Sequence, residues 1–273
     1  MNVLGLDFTS RPRRSKPITC LHCAFDGENL RADQIENLPE FDAFDEVLRR
    51  PGPWIAGLDF PFGQSRQFIE NIGWPQDWEG YVLHAASLGR EGFREALTAY
   101  KESRPKGDKE HRRQTDIEAG AISPQKLYGV PVGLMFFEGA HRLIRADVTI
   151  PHLRAGDPDR IVVEAYPGLL ARNLIRRRSY KNDTRKKQTA DHFDARRKIL
   201  EAVTSEETGN ELGFRVEADP SLADDPTGDD LDALLCAVQA AWAWRDRDNR
   251  YGASGEVDVL EGWIVGGVIS NST

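Results

Sequence analysis

The chain has 273 residues, which corresponds to one or two domains, and its 40% hydrophobic and 29% charged residues exclude an intrinsically disordered chain. Three cysteines argue against a secreted disulfide framework, no apolar run reaches the roughly 18 residues of a membrane span, and a soluble cytoplasmic protein is expected. The net charge of −8 by itself counts against a nucleic-acid binder.

Three short apolar runs are typical of buried strands, and each delivers a carboxylate near its carboxyl end. The runs cover residues 3–8, 54–60 and 161–165, and their carboxylates are Asp7, Asp59 and Glu164. In a layered α/β fold the carboxyl ends of parallel strands meet at one edge of the sheet, where ligands usually bind. We therefore expect these three side chains to lie near one another.

The other predicted elements lie between and after these strands and become mainly helical. They are a strand at 18–25, a helix at 34–50, mostly helical structure over 64–150, and helices near 168–176, 189–203 and 229–244. Early strands followed by helices are typical of an α/β or α+β layered domain. We predict a single domain over residues 1–273, with residues 64–150 as a helical insertion.

The helix predicted over residues 229–244 places two carboxylates on one face. Asp229 and Asp232 lie three residues apart, a spacing that brings both side chains to the same side of a helix. Converging carboxylates repel each other, and Mg²⁺ or Mn²⁺, which prefer oxygen ligands, relieve that repulsion. These residues therefore predict a metal site. Taken singly, an aspartate at a strand end or helix start is more often a turn former or a helix cap than a metal ligand.

Five segments occur in an order that resembles a known family. They are GLDFT (5–9), AGLDFPFG (56–63), VEAYPG (163–168), SYK (179–181) and GDDLDALLCAVQAAW (228–242). They are similar to the predicted RNase H-like nucleases grouped as domain of unknown function 429, over nearly the whole chain. The helix motif is also similar to the end of RuvC-type Holliday-junction resolvases, where two aspartates three apart hold metal opposite a first-strand aspartate.

The resemblance implies an RNase H-like fold, in which a mixed five-stranded sheet is flanked by helices. It implies that Asp7 bridges the metal ions, that Asp59 is the fourth-strand ligand, and that Asp229 and Asp232 are the helix ligands. Glu164 lies on a later strand than the standard acid and is expected to be an extra ligand or a water-orienting base. The implied activity is hydrolysis of nucleic-acid phosphodiesters, DNA or RNA, with two Mg²⁺ or Mn²⁺ ions as cofactors.

Two further segments also resemble parts of that family. Arg112 and Arg113 are expected to clamp a phosphate in bidentate fashion while Asp116 orients them; the alternative is a solvated helix start with a local ion pair. Tyr180 and Lys181 are similar to a recurring Tyr-Lys pair. Lys181 is expected to neutralise the scissile phosphate; the alternative is an ordinary surface lysine.

Residues 172–198 are strongly basic although the chain as a whole is acidic. Eleven Lys or Arg and three acids give this stretch a charge of +8, which leaves −16 for the remainder. The stretch predicts a surface that follows a nucleic-acid backbone, with Arg176 and Arg177 binding phosphates. The alternative is a solvated helix face.

Two other functions remain open at this point. An actin-like phosphotransferase or ATPase also places an aspartate after its first strand, as Asp7 is placed, but generally needs two duplicated domains and a second glycine-rich phosphate loop. The sequence shows no duplication. A non-catalytic module of the same fold, binding nucleic acid or a protein, is the second alternative.

Overall fold

A seven-stranded mixed sheet lies at the centre of the computed structural model, which describes residues 1–182 and 187–266. Its strands are β1 (Asn2–Asp7), β2 (Ile18–Phe25), β3 (Asn29–Leu38), β4 (Trp54–Leu58), β5 (Val148–Thr149), β6 (Asp157–Glu164) and β7 (Arg215–Glu217). Their order across the sheet is β5-β6-β4-β1-β2-β3-β7. β2 is antiparallel to β1 and β3, and the other neighbouring pairs are parallel. The carboxyl ends of β1, β4 and β6 therefore lie at the same edge.

Ten α-helices surround the sheet in the described ranges. They are α1 (Phe41–Arg49), α2 (Arg66–Ile72), α3 (Trp78–Ser87), α4 (Gly89–Glu102), α5 (Gln114–Ala119), α6 (Val132–Arg145), α7 (Pro167–Ile175), α8 (Ala190–Val203), α9 (Glu206–Leu212) and α10 (Asp229–Arg245). Short 3₁₀ turns cover Pro220–Ala223 and Arg247–Gly252. None of the described helices has the length and apolarity that crossing a membrane requires.

The helices form one layer on each face of the sheet. Adjacent strand residues face opposite cores, as a pleated strand requires: Val3 and Ile55 face one, Leu4 and Ala56 the other. The core around Leu4 receives α1, α2, α3, α4 and α6, and the core around Val3 receives α7, α8, α9 and α10. The chain is thus an α/β protein, as predicted, and four helices of the predicted insertion contribute side chains to the core around Leu4.

Helix α10 crosses the sheet at unusually close range because two glycines leave room for it. Gly5 of β1 and Gly57 of β4 lie opposite each other in the parallel pair. A Cβ on Gly5 would lie 1.9 Å from the carbonyl oxygen of Ala233, and a Cβ on Gly57 would lie 2.2 Å from that of Cys236. The helix with the paired aspartates therefore rests directly on the strands that deliver Asp7 and Asp59.

We expect Gly57→Ala to destabilise the protein by about 1–3 kcal/mol, since the added methyl group must push α10 away from the sheet. Urea denaturation followed by circular dichroism measures the loss. Gly209→Ala is the matched control, because a Cβ there would meet its nearest neighbour at an ordinary 3.4 Å. An alanine also favours the surrounding helix α9. Equal free energies of unfolding for the two variants would contradict the close approach.

The prediction of a five-stranded sheet is wrong, because β5 and β7 extend the sheet at its two edges. β5 has two residues and β7 has three, so neither is long enough to show an alternating pattern in the sequence. The predicted strands at 3–8, 18–25, 54–60 and 161–165 are confirmed as β1, β2, β4 and β6. The mainly helical 64–150 and the later helices at 168–176, 189–203 and 229–244 are confirmed as well.

The predicted helix over residues 34–50 is wrong in its first part. The chain stays in β3 to Leu38, and α1 begins only at Phe41. The Asp26 carboxylate accepts a hydrogen bond of 2.7 Å from the backbone N–H of Asn29, which closes the turn between β2 and β3. The strand pairing with β2 therefore outweighs the helical preference of this charged segment, in which polar and apolar residues do not alternate clearly.

Candidate active site

Four aspartates from three elements converge on one cleft of about 780 Å³. Asp7 ends β1, and Asp59 directly follows the parallel strand β4, where its backbone N–H donates 3.0 Å to the carbonyl of Leu6. Asp229 and Asp232 lie in the first turn of α10. The close contact between α10 and the two strands brings this turn over the strand ends. The predicted set Asp7, Asp59, Asp229 and Asp232 is thus assembled in one place.

The carboxylates of this cleft have little compensation for their charge. Asp7 is 6% exposed, Asp232 is 1% exposed, and Asp59 is partly buried. Burial raises the pKa of Asp7 well above its usual value, and Asp229 and Asp232 raise it further, although Lys181 lowers it. Burial and the charge of Asp232 raise the pKa of Asp59 to about 7. In the part of the chain that is described, no group donates a hydrogen bond to either Asp7 or Asp59. The cluster therefore has an excess of negative charge.

Asp229 is not needed as the cap of its helix. The N-cap residue is Gly228, whose φ of 76° suits a glycine, and the capping acceptor is the side chain of Asp225. The Asp225 carboxylate accepts hydrogen bonds of 2.8 Å from the backbone N–H of Asp229 and 3.4 Å from that of Asp230. The capping role that the alternative interpretation gave to the first-turn aspartates is therefore filled by Asp225. The side chain of Asp229 lines the cleft instead.

Tyr180 and Lys181 both bind the carboxylate of Asp232. The Tyr180 hydroxyl donates 2.7 Å to Oδ1, and the Lys181 ammonium donates to Oδ2. Burial lowers the pKa of Lys181, but the charges of Asp232 and Asp7 outweigh that effect and raise it well above the usual value. The carbonyl of Tyr180 accepts 3.0 Å from the Arg196 guanidinium, which holds the segment in place. Lys181 is therefore a permanent cation among the carboxylates.

Glu164, the third strand-end carboxylate, is part of a buried network with Arg113 and Asp116. All three residues are at most 3% exposed. The Arg113 guanidinium donates two hydrogen bonds to Glu164, of 2.5 and 2.8 Å, and two to Asp116, of 2.7 and 3.0 Å. It also donates 3.0 Å to the carbonyl of Glu261, and Glu164 accepts 2.9 Å from the backbone N–H of Phe62. Every donor of this guanidinium has a protein acceptor.

This network differs from the predicted phosphate clamp. Arg113 could bind a phosphate only after giving up buried carboxylates, and breaking such a pair costs about 3–5 kcal/mol. We therefore assign Arg113 and Asp116 to holding Glu164, which lines the cleft floor with both oxygens engaged. Arg112 is exposed and does not line the cleft. Arg113 does line the cleft, but its donors are all taken up by protein acceptors, and a phosphate-binding role of either arginine stays a prediction.

The basic stretch 172–198 lies mostly outside the cleft. Arg176 and Arg177 follow α7, are exposed, and do not line it. Arg172 and Arg196 instead donate to backbone carbonyls within the fold. Residues 183–186 of the stretch lie outside the described residues. A nucleic-acid surface on this stretch stays a prediction.

Sequence reasoning missed two features of the cleft. Arg11, Arg13 and Lys16 of the loop between β1 and β2 line one side of it, and apolar side chains of residues 121–135 line another. The run RPRRSK directly after the first-strand aspartate was the available signal for the loop. Only the fold shows that this run faces the carboxylates.

A second cluster, on β2 and β3, has metal-ligating residue types. The ligand atoms of Cys20, His22 and Glu36 lie within 4.8 Å of one another. Arg50 donates hydrogen bonds of 2.8 and 2.7 Å to the two oxygens of Glu36, and His22 lies 2.8 Å from the same carboxylate. Burial raises the pKa of the Cys20 thiol to about 12. Arg50 thus supplies the positive charge that a metal ion would otherwise bring.

Comparison with known proteins gives one match. The model of the family described as "Protein of unknown function (DUF429)" matches residues 5–256. The matched range includes the end of β1 (residues 5–7), β4 with the residue that follows it, and the whole of α10, and so all four aspartates of the cleft. No curated protein and no solved structure matches the chain.

Proposed function

Since this chain belongs to the DUF429 family of unknown function, we propose a function from the site: the protein is a divalent-metal-dependent nuclease that hydrolyses phosphodiester bonds of nucleic acid. One observation carries the proposal. Asp7, Asp59, Asp229 and Asp232 come from β1, the end of β4 and α10, and meet in a single cleft in which Lys181 forms an ion pair with Asp232. Such convergence is costly for folding unless a ligand compensates for it.

The fold supports an RNase H-like assignment. The five contiguous strands β6-β4-β1-β2-β3 form a mixed sheet flanked by helices, and the additional strands β5 and β7 lie outside them. The acids also occupy the implied places: the end of the first strand, the end of the fourth, and the start of the last α-helix. The phosphotransferase alternative has less support, since the described part of the chain contains one sheet rather than two duplicated domains.

The donor set suits Mg²⁺ or Mn²⁺. The four aspartates offer only carboxylate oxygens, which are the ligands that hard divalent cations prefer. When all four are ionised, their carboxylates concentrate negative charge in which Lys181 pairs directly only with Asp232, so divalent ions can be accommodated among the others. Asp7, Asp59 and Asp229 would hold the ions directly. The oxygens of Asp232 keep lone pairs free beside their contacts with Tyr180 and Lys181.

The chain's own residues prepare the site for a phosphodiester. Divalent ions at the aspartates would supply the Lewis acidity that activates water and stabilises the departing oxygen. Tyr180 fixes the carboxylate of Asp232, and Lys181 provides a positive charge that faces a phosphate entering the cleft. The buried network of Arg113 and Glu164 holds the end of β6 in place below them. Partial burial lowers the effective dielectric around these groups, which strengthens their electrostatic contacts.

Incubation of the protein with end-labelled single-stranded and duplex oligonucleotides tests the proposal. We expect shortened products in Mg²⁺ or Mn²⁺ and intact oligonucleotide in EDTA, as resolved on a denaturing gel. Addition of excess Mn²⁺ to the EDTA sample should restore cleavage, which separates metal dependence from damage by the chelator. Intact DNA and RNA under all metal conditions, or cleavage that EDTA does not reduce, would overturn the proposal.

A further inference from the structure

The loop between β1 and β2 carries a concentrated positive charge. Residues 10–17 contain four cations, Arg11, Arg13, Arg14 and Lys16, and no acidic residue. None of these four forms an ion pair with any residue that the structure describes. By contrast, Arg113 and Lys181 nearby are fully engaged with carboxylates. The loop therefore presents unpaired positive charge at the cleft.

The loop is held in one conformation. The backbone N–H of Arg13 donates 3.0 Å to the carbonyl of Lys16, and the reverse bond is 2.9 Å, so the two residues close a tight turn. The carbonyl of Ser10 accepts 3.1 Å from the guanidinium of Arg90, which itself pairs with Glu138. This anchoring fixes the loop against α4 and α6. Charges on a fixed loop bind a ligand with less loss of conformational entropy.

Three of the four cations face the same cleft as the aspartates. Arg11, Arg13 and Lys16 line it, whereas Arg14 at the tip of the turn does not. Lys16 is close enough to Asp229 to oppose the rise in the pKa of that carboxyl that burial causes. The positive loop and the negative floor therefore form adjacent parts of one binding site.

Another part of the cleft lining, within residues 121–135, is mainly apolar, although Lys126 also belongs to it. Ile122 and Val130 line it and are 45% and 42% exposed, and Pro131, Val132 and Met135 continue the wall inward. Large exposed apolar side chains grouped beside a polar site are typical of a binding surface. A ligand that fits this cleft has an anionic side and a flat apolar side.

We infer that the cleft binds single-stranded nucleic acid, with Arg11, Arg13 and Lys16 on consecutive phosphates and the wall of Ile122 and Val130 against the bases. The nucleic-acid identity rests on the proposed function. Proteins that bind single strands combine these two features, a basic path for the backbone and an apolar or aromatic platform for base faces. In a duplex the base faces are stacked on each other and are not offered to a protein wall.

The size of the cleft also favours a single strand over a duplex. The carboxylates lie on the floor of a cleft of about 780 Å³. A volume in this range takes a ligand of drug-like size, which corresponds to one or two nucleotides rather than a double helix. A flexible single strand can place one phosphate next to the carboxylates while the neighbouring phosphates remain at the rim of the cleft.

Fluorescence anisotropy with a labelled oligothymidylate of about 12 nucleotides, in Ca²⁺ to limit cleavage, tests the loop. We expect the single strand to bind at least about tenfold more tightly than the duplex with its complement. Arg11→Gln/Arg13→Gln should weaken binding about tenfold and make the slope of log K against log salt shallower by about 1.4. Arg14→Gln, in the same loop but outside the cleft, should leave affinity and slope unchanged.

A strand of the same length without bases tests the wall. Ile122→Ser/Val130→Ser should weaken binding of the oligothymidylate about tenfold and leave binding of the abasic strand unchanged. Ile117→Ser is the control, because Ile117 is exposed but does not line the cleft. Equal affinity for duplex and single strand, equal effects of Arg14→Gln and Arg11→Gln/Arg13→Gln, or no binding at all would overturn the inference.

The two proposals fail in different ways. Metal-dependent cleavage together with binding that is insensitive to Arg11→Gln/Arg13→Gln would remove the loop from the site and leave the nuclease. Single-strand binding that follows the expected pattern, without cleavage in any metal, would support the loop and remove the nuclease. Binding lost in Arg176→Gln/Arg177→Gln, but kept in Arg11→Gln/Arg13→Gln, would transfer the backbone contact to the basic stretch and overturn the inference.

Discussion

Replacing Asp7 by asparagine is expected to lower metal-dependent cleavage about a thousandfold or more, which corresponds to about 4 kcal/mol of transition-state stabilisation. Asp7 is the last residue of β1, the central strand of the site, and the charges of Asp229, Asp232 and Asp59 raise its pKa. Asparagine keeps the size of the side chain but cannot supply the negative charge that holds divalent ions. Asp232→Asn should have a comparable effect, because it also releases Lys181. Single-turnover cleavage rates in Mn²⁺ provide the measurement.

The same substitution should raise stability when metal is absent. Neutralising Asp7 removes a buried charge that neighbouring carboxylates repel, so the thermal midpoint of Asp7→Asn in EDTA should equal or exceed that of the wild type. An inactive but more stable variant separates a functional role from loss of folding. Asp230→Asn is the matched control, because Asp230 lies in the same helical turn but does not line the cleft. Cleavage by Asp7→Asn at the rate of Asp230→Asn would contradict the assignment.

The components of the site were predictable because each has a local signal. An apolar run of five or six residues that ends in a carboxylate identifies Asp7 and Asp59, and a three-residue spacing identifies the pair in α10. Their convergence depends on longer-range features. It requires β4 to pair in parallel with β1, which lies 52 positions earlier, and α10 to contact Gly5 and Gly57, which lie more than 170 positions before the residues they meet.

Glu164 shows why the same local signal does not give the same role. It ends an apolar strand just as Asp7 does, but it pairs with Arg113, which lies 51 residues away. The sequence around Arg113 indicates a basic pair at a helix start and gives no sign that one member is buried while Arg112 is exposed. The position of α5 at the sheet edge determines which strand-end carboxylate pairs with a cationic side chain. That position has no pattern in the sequence.

The capping of α10 is a similar case. When only the sequence is considered, Asp229 at the helix start is the candidate cap, and nothing singles out Asp225 for that role. The turn at Gly228 decides between them, since it reverses the chain so that Asp225 accepts from the backbone of the first turn. The positive φ of that glycine is a backbone property that the residue permits but does not require. The side chain of Asp229 faces the cleft as a result.

The last prediction concerns stability in the absence of metal as the pH rises. The pKa of Asp59 is about 7 in the folded protein and 3.8 when the side chain is unperturbed. Between these values the folded state retains a proton that the unfolded state has released, so the contribution of Asp59 to stability is complete below about pH 4 and is lost as the pH rises through 7. The loss is on the order of 3 kcal/mol, because each pKa unit corresponds to about 1.4 kcal/mol and Asp59 is only partly buried.

Other groups titrate in the same interval, so the comparison with Asp59→Asn isolates the effect. Burial lowers the pKa of His111 and His141, and these residues contribute a stability that increases with pH in both proteins. In EDTA the free energy of unfolding of Asp59→Asn minus that of the wild type should therefore increase between pH 5 and pH 8, by on the order of 2 kcal/mol. Urea denaturation at several pH values gives this difference.

Magnesium should reverse the order at the upper end of this range. At pH 8 the aspartates of the wild type are ionised and can bind the ion, which stabilises the folded state in proportion to the logarithm of its concentration. Asp59→Asn lacks one ligand and should gain less. Asp230→Asn should respond to Mg²⁺ as the wild type does, because Asp230 is outside the cleft. A pH-independent difference in EDTA, together with equal stabilisation of all three proteins by Mg²⁺, would show that the four aspartates do not form a common cation site.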